Sequence, residues 1–533
     1  MILDGRNTTL ATDQSYDLII VGAGPAGITL AHELADTGLR IALLESGGLE
    51  FDPDTQELYD ATLTGNDETD MLAGRLRFLG GTSNHWGGHC LPLDRLDIER
   101  APLSGMTGWP MSYDELLTYY PRGHVYCDLG RFDYDVTQPN GPLPAELLLM
   151  DDPEISTAVF RQSPPTRFGE KYASWLEQVG SVELWLWTNV VDLVSDADGR
   201  IGDVVTRTLS GVERRFRAET VVLACGAVET ARLLLYTNAR NGRSFGNRGD
   251  LLGRCYLDHP SGGAAFIDLV EPMPDKAYWM PADHFKDEGV PIRFLMRLSE
   301  ATIQREGLGN CQFILIPFAG TPEEQARKRS AAQSAKSLKA IGKWAVNHNA
   351  SATFSLSKEY CSFITNADSF VAEEWAQFTG DQGVTRILLK YEAEQQPDRS
   401  NAVTLTEATD ALGLPRINLN WSPSRDDLES VKKSAELIGA AVGRAGLGRL
   451  RLEKDDGGPY WNSVTAWHQL GTTRMAARES DGVVDPDCKV FGTANLYVAS
   501  GGVMPTSGRA NPTLTIVSLT IRLADHLKQR ANL

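Results

Sequence analysis

The stretch YDLIIVGAGPAGITLAHELADTGLRIALLE, residues 16–45, decides the fold. Tyr16 to Val21 is a short apolar run of strand length, and a glycine cluster follows it. Ala26 to Thr37 carries a helical pattern, and Ile41 to Leu44 is a second apolar run. Strand, tight turn, helix and strand make one βαβ unit, whose two strands are parallel and buried. Gly22, Gly24 and Gly27 fit G-x-G-x-x-G in the context that gives this motif its meaning: strand before, helix after. Gly22 permits the turn, Gly24 lets the backbone approach a pyrophosphate, and Gly27 lets helix and strand pack closely. The helix start then offers free N–H groups and a favourable dipole to phosphate. Glu45 ends the second strand, where a carboxylate accepts hydrogen bonds from ribose hydroxyls. That carboxylate argues against a 2′-phosphate and leaves NAD and FAD both open.

Outward from this unit, the 533 residues suffice for two or more domains and a large core. Hydrophobic residues make up 42% and charged residues 23%, which is globular composition. A formal net charge of -19, with no basic stripe against it, excludes nucleic acid and anionic membrane surfaces as expected partners. Seven scattered cysteines without a C-x-x-C pair fit reduced thiols and a cytoplasmic protein. The first residues lack the pattern of a signal peptide, and no apolar run is long enough to span a bilayer. Leu514 to Leu527, broken by Ser518, Arg522 and Asp525, reads as an amphipathic helix.

Further along, Ser112 and Glu115 predict a capping box at a helix start. Val182 to Arg207 is β-rich, with a hairpin turn at Asp196 to Arg200. Thr220 to Cys225 is another buried strand, ended by Gly226, with a helix over Glu229 to Tyr236. In the middle, residues 291–297 and 311–316 read as half-buried antiparallel strands, and Glu323 to Lys343 as an exposed helix.

Three more segments carry a resemblance. They are Glu45-Ser46-Gly47-Gly48; the loop from Gly80 through Gly81, Thr82, Ser83, Asn84, His85 and Trp86 to Gly88; and Trp467-His468-Gln469-Leu470-Gly471-Thr472-Thr473-Arg474-Met475. The last continues through Asn495 to Gly501-Gly502 and Asn511-Pro512-Thr513. Together they resemble the glucose-methanol-choline (GMC) oxidoreductases, at both ends of the chain; the middle matches little beyond Glu394 to Leu405. The resemblance implies an α/β protein, α+β overall. A Rossmann-type FAD-binding domain is assembled from discontinuous segments, and a substrate domain is built on an antiparallel sheet. We place the first in 1–263, completed by 458–533, and the second in 264–457.

The resemblance also assigns roles. His468 faces the reacting carbon, and Asn511 takes the second position, as in the His/Asn branch that includes pyranose oxidases and several sugar dehydrogenases. The implied cofactor-binding set adds Val191, Gly226, Gly501, Gly502, Pro512 and Thr513 to Gly22, Gly24, Gly27, Glu45, Ser46 and the residues 81–86. Some relatives attach FAD covalently to a histidine at the position of His85; a noncovalent contact with the flavin edge is the alternative. Alcohol oxidation removes a proton from oxygen and a hydride from carbon; the flavin takes the hydride and a neutral imidazole suits the proton near pH 7. His468 is therefore the expected base and Asn511 the orienting group.

The expected substrate is an alcohol group of a sugar, glycoside or polyol, and the electron acceptor is oxygen, a quinone or another protein. A simple primary or aromatic alcohol is the second reading. A non-redox flavin lyase and a noncatalytic dinucleotide module are the others. The remaining histidines, His259 among them, form no spaced ligand set, and no catalytic metal is expected. Trp279, Trp461 and Trp467 could stack on a sugar ring, although packing in the core is the commoner use of tryptophan.

Overall fold

The computed structural model describes residues 1–65, 71–135, 152–164, 166–273, 286–318, 384–452, 454–455, 458–459 and 464–531. Trp279, Trp461 and the expected helix 323–343 lie outside the described residues.

The βαβ unit forms as read. Asp13–Val21 and Ile41–Leu44 pair in parallel, Leu18 opposite Ile41 and Val21 opposite Leu44. The helix Pro25–Leu34 joins them, with proline in its first turn where no N–H is needed. Ile19, Ile20, Leu43 and Leu44 are buried, as strands covered on both faces require. Val182–Leu186 and Ile2–Asp4 extend the sheet on one side, and Glu213–Leu223 on the other. Leu496–Val498 then pairs in parallel with Glu213–Leu223, Val498 opposite Leu223. Val21, Leu44, Leu223 and Val498 thus end side by side, and the chain leaves all four at one edge of the sheet.

The second sheet is antiparallel. Pro260–Met273, Val384–Ala393, Cys311–Phe318, Val290–Leu298 and Ile155–Gln162 lie in that order. The helix Arg425–Arg444 covers one face; Ser424 and Asp427 cap it reciprocally, and Val431, Ala435, Ile438 and Val442 form its buried stripe. From its other face Leu295 and Ile314 join the core of the first sheet.

Three expectations change. The second sheet also draws on His89–Cys90 and Ile155–Gln162, from the stretch assigned to the cofactor domain, because these pair with each other and with Val290–Leu298. The strand Val290–Leu298 is buried on both faces from Phe294 onward: Leu295 joins the first core, and Phe294 and Met296 join the second. The helix Thr513–Arg530 is buried around most of its girth, and its hydroxyls bond back to the backbone, Ser518 to the Leu514 carbonyl and Thr520 to that of Ile516. Ser112 does cap a helix, but one of only five residues, Tyr113–Leu117. Among the described residues no helix is long and apolar enough to cross a membrane.

Candidate active site and cofactor cavity

The strand ends open onto a cavity of about 570 Å³. At its floor Gly22 has φ +105°, a conformation side chains rarely adopt, and a Cβ there would meet the Ala224 carbonyl oxygen at 2.7 Å. A Cβ on Gly27 would lie 1.8 Å from the Gly22 carbonyl oxygen, so helix and turn touch as the motif requires. Gly24 faces open space, with no atom within 4 Å of its Cβ position, and no side chain caps the helix it begins. Glu45 is buried; one carboxylate oxygen accepts from the Ala23 N–H at 2.9 Å and the other from the Gly47 N–H at 2.9 Å. The second oxygen also accepts from Ser46 Oγ at 3.2 Å, so the free acceptor capacity lies on the oxygen that Ala23 holds.

The glycine-rich loop is locked from behind. Ser83 Oγ donates to the Gly80 carbonyl at 2.7 Å, and the Asn84 amide donates to the carbonyls of Leu79 and Gly81 at 2.9 and 3.0 Å. Trp86 Nε1 donates to the Thr166 carbonyl at 2.9 Å. His85 and His89 are thereby held in the cavity wall. Burial, with Arg167 nearby, pushes the His85 imidazole down to about 4, so it is neutral at pH 7.

His468 and Asn511 line the same cavity. Trp467, before the histidine, has φ +61°, which for a bulky residue marks strain at a functional turn. That turn brings the His468 N–H to Asp258 Oδ1 at 2.9 Å. His468 Nδ1 lies 2.9 Å from Nδ1 of His259, and His468 Nε2 lies 3.3 Å from Nδ2 of Asn511. With the amide donating to Nε2, the His468 proton sits on Nδ1 and is donated to His259. Burial pushes His468 down to about 4, and burial together with His468 pushes His259 down to about 3. Both rings are neutral at pH 7, and Nε2 of His468 is an unprotonated acceptor on the cavity side.

The structure thus brings together Asp258, His259 and His468, which the sequence reading left apart. Their ligand atoms lie within 4.8 Å of one another, close enough for a cation. Asp258, however, accepts from four protein donors: the N–H groups of His259 and His468, and the hydroxyls of Thr465 and Tyr256. A carboxylate has about four acceptor sites, so this one is filled and acts as a bracket for the two histidines. The only local sign in the sequence is a polar Asp-His pair between apolar Leu257 and Pro260, where a core strand begins.

Of the sequence-expected set, Gly22, Gly24, Glu45, Ser46, Gly81, Thr82, Ser83, His85 and Trp86 line the cavity. So do Gly226, His468, Gly501, Asn511, Pro512 and Thr513. Gly27, Asn84, Val191 and Gly502 stand behind the wall. Val191 packs with Leu58, Leu412 and Leu414, while its neighbour Val190 takes the lining position. A Cβ on Gly502 would collide with Thr473 Oγ1 at 2.5 Å. Trp467 also lines the cavity and is 37% exposed, so it is not a core residue. The sequence reading missed Lys390 and Glu392 in the lining.

The open cradle at Gly24, the uncapped helix start and the Glu45 carboxylate fit an adenine dinucleotide, and the same cavity continues to a histidine–asparagine pair. These features define a dinucleotide-binding oxidoreductase, and the comparisons that follow make the dinucleotide FAD. Residues 397–520 match the family model described as GMC oxidoreductase, and residues 17–64 match that described as lycopene cyclase protein. The chain is 23% identical to a 2-methyl-1,2-propanediol dehydrogenase of Mycolicibacterium austroafricanum, over 98% of this chain and 96% of that one. It is 24% identical to a fructose dehydrogenase large subunit of Gluconobacter japonicus, over 96% and 97%. A fungal aryl-alcohol oxidase structure superposes with a TM-score of 0.57 at 15% identity, over 98% of this chain and all of that one. The chain is thus similar to GMC oxidoreductases, whose family model its residues 397–520 match, and it is an oxidoreductase acting on CH–OH groups.

Proposed function

We propose that this enzyme oxidises an alcohol group of a sugar, glycoside or polyol to a carbonyl, with His468 as the base and Asn511 as the orienting group. The observation that carries the proposal is the facing pair itself: Nε2 of His468 and Nδ2 of Asn511, 3.3 Å apart in the cavity wall. Bound flavin supplies the hydride acceptor. His468 Nε2 takes the hydroxyl proton, which makes the ring an imidazolium with two N–H donors. His259 Nδ1 accepts one of these bonds and remains neutral, because its own proton affinity is low. Asn511 Nδ2 then donates to the substrate oxygen, which fixes the carbon bearing the hydride. The two full-length relatives named above, one a fructose dehydrogenase and one a diol dehydrogenase, support a hydroxyl-rich substrate.

The test is anaerobic. Sugars, glycosides, polyols and simple alcohols are added one at a time to the holoenzyme, and flavin absorbance is followed. Bleaching by a hydroxyl-rich compound is expected; bleaching by simple alcohols alone would refute the substrate class. His468→Ala should keep its flavin and slow reduction by roughly 10² to 10⁴, the scale of a lost general base. An unchanged rate would remove His468 from the mechanism.

A further inference from the structure

We propose that Glu392 recognises the substrate, accepting hydrogen bonds from hydroxyls adjacent to the one being oxidised; this rests on the reaction proposed above. The strand Val384–Ala393 has two faces. Ile387, Leu389, Tyr391 and Ala393 are buried in the core against the helix Arg425–Arg444. Lys390 and Glu392 point the other way and line the same cavity as His468. In register, Glu392 sits between Ser261 on one neighbouring strand and Gln312 on the other. Ser261 lines the cavity as well, two residues after His259 on the strand Pro260–Met273.

Glu392 is aimed by an amide and not by a cation. Its Oε2 accepts from Gln312 Nε2 at 3.0 Å, and Gln312 Oε1 accepts from Arg509 Nη1 at 2.7 Å. Arg509 in turn is held by Asp94 at 2.8 and 3.1 Å. Gln312 and Arg509 are buried, so this chain of bonds is rigid and sets the direction of the carboxylate. Interposing Gln312 keeps the guanidinium away from Glu392, whose charge stays available to the cavity. A carboxylate has about four acceptor sites. Among the described residues only the Gln312 amide fills one of them. The remaining acceptors, at Oε1 above all, need donors when the cavity closes on a ligand, since a desolvated carboxylate without donors is costly. Neighbouring hydroxyls supply such donors. Lys390, two residues along on the same face, brings a charge of the opposite sign into the lining. A wall carrying both signs suits a neutral, hydroxyl-rich molecule better than an acid or an amine.

The test uses the flavin-loaded enzyme with sorbitol and fructose as probes. Binding is read from the perturbation of flavin absorbance, and chemistry from its anaerobic bleaching. Glu392→Gln is expected to raise the half-saturating concentration about 10- to 100-fold, the scale of a lost hydrogen bond to a charged group, and to change the limiting reduction rate far less. Glu392→Asp, which keeps the charge, should recover part of the affinity. Removing one substrate hydroxyl at a time should identify a deoxy analogue that binds weakly to the wild type and no more weakly to Glu392→Gln. Unchanged half-saturation in both variants, or a fall in limiting rate alone, would overturn the role. A wild type that binds sorbitol or fructose without bleaching, with binding weakened in Glu392→Gln, would retain the role of Glu392 and overturn the proposed reaction.

Discussion

Replacing His259 by alanine leaves His468 and Asn511 in place and removes the acceptor of the His468 Nδ1 proton. That acceptor lies 2.9 Å away in a site where His259 is only 1% exposed. Without it, the Nδ1–H tautomer carries a buried, unsatisfied donor, at a cost of about 1–3 kcal/mol. The ring is then biased toward carrying its proton on Nε2, where it cannot accept one from substrate. At 1.36 kcal/mol per tenfold, the competent fraction falls roughly 5- to 150-fold. The assay is the limiting rate of anaerobic flavin reduction, with flavin content and melting temperature measured on the same sample. The expected result is a slowed but flavin-loaded enzyme whose rate recovers on adding imidazole, which can occupy the vacated space and restore the acceptor. A loaded variant reduced within about twofold of the wild-type rate would refute the tautomer argument. So would a slowed variant indifferent to imidazole.

Three further outcomes follow from the geometry. With His468 as the proposed base and burial pushing it down to about 4, reduction should be flat above pH 7, weaken near 6 where buried Asp258 takes up a proton, and be lost as pH drops toward 4; stopped-flow rates across pH check this, and full loss of reduction already by pH 6 would contradict it. Gly24→Val would place side-chain carbons in space that the structure leaves open beside the helix start, and should yield folded, colourless protein; a yellow variant with full flavin content would contradict the cradle. His85 is neutral and lines the cavity, and acid precipitation of the holoenzyme separates its two readings: flavin that goes down with the protein and is released in His85→Ala marks attachment there, and complete release from the wild type marks a noncovalent contact.

The dinucleotide turn was legible because its determinants are local. Strand, glycines, helix and Glu45 lie within thirty residues, and each position answers to a steric or hydrogen-bonding demand of its neighbours. His468 and Asn511 were legible only through the resemblance of the segments around them. Their partner His259 was not, since no local pattern in the sequence announces a contact made across 209 positions. Glu392 was hidden for a related reason. In Val384–Ala393 alternation marks two faces, but which face looks on a cavity is decided by the helix Arg425–Arg444 covering the other. The origin of Ile155–Gln162 in the second sheet escaped for want of its partner Val290–Leu298, which comes much later in the chain.

The placement of Leu496–Val498 beside Glu213–Leu223 bears on how the enzyme is made. About half the chain is synthesised between these two neighbours. At 5–20 residues per second, the older strand therefore waits roughly 15–60 seconds on the ribosome with one parallel partner missing. During that interval the nascent protein presents an unfilled, apolar sheet position, of the kind that invites pairing with other chains. Chaperone demand should accordingly peak before residue 496 emerges, and ribosome pauses placed after Leu223 should lower the yield of soluble enzyme more than pauses placed after Val498.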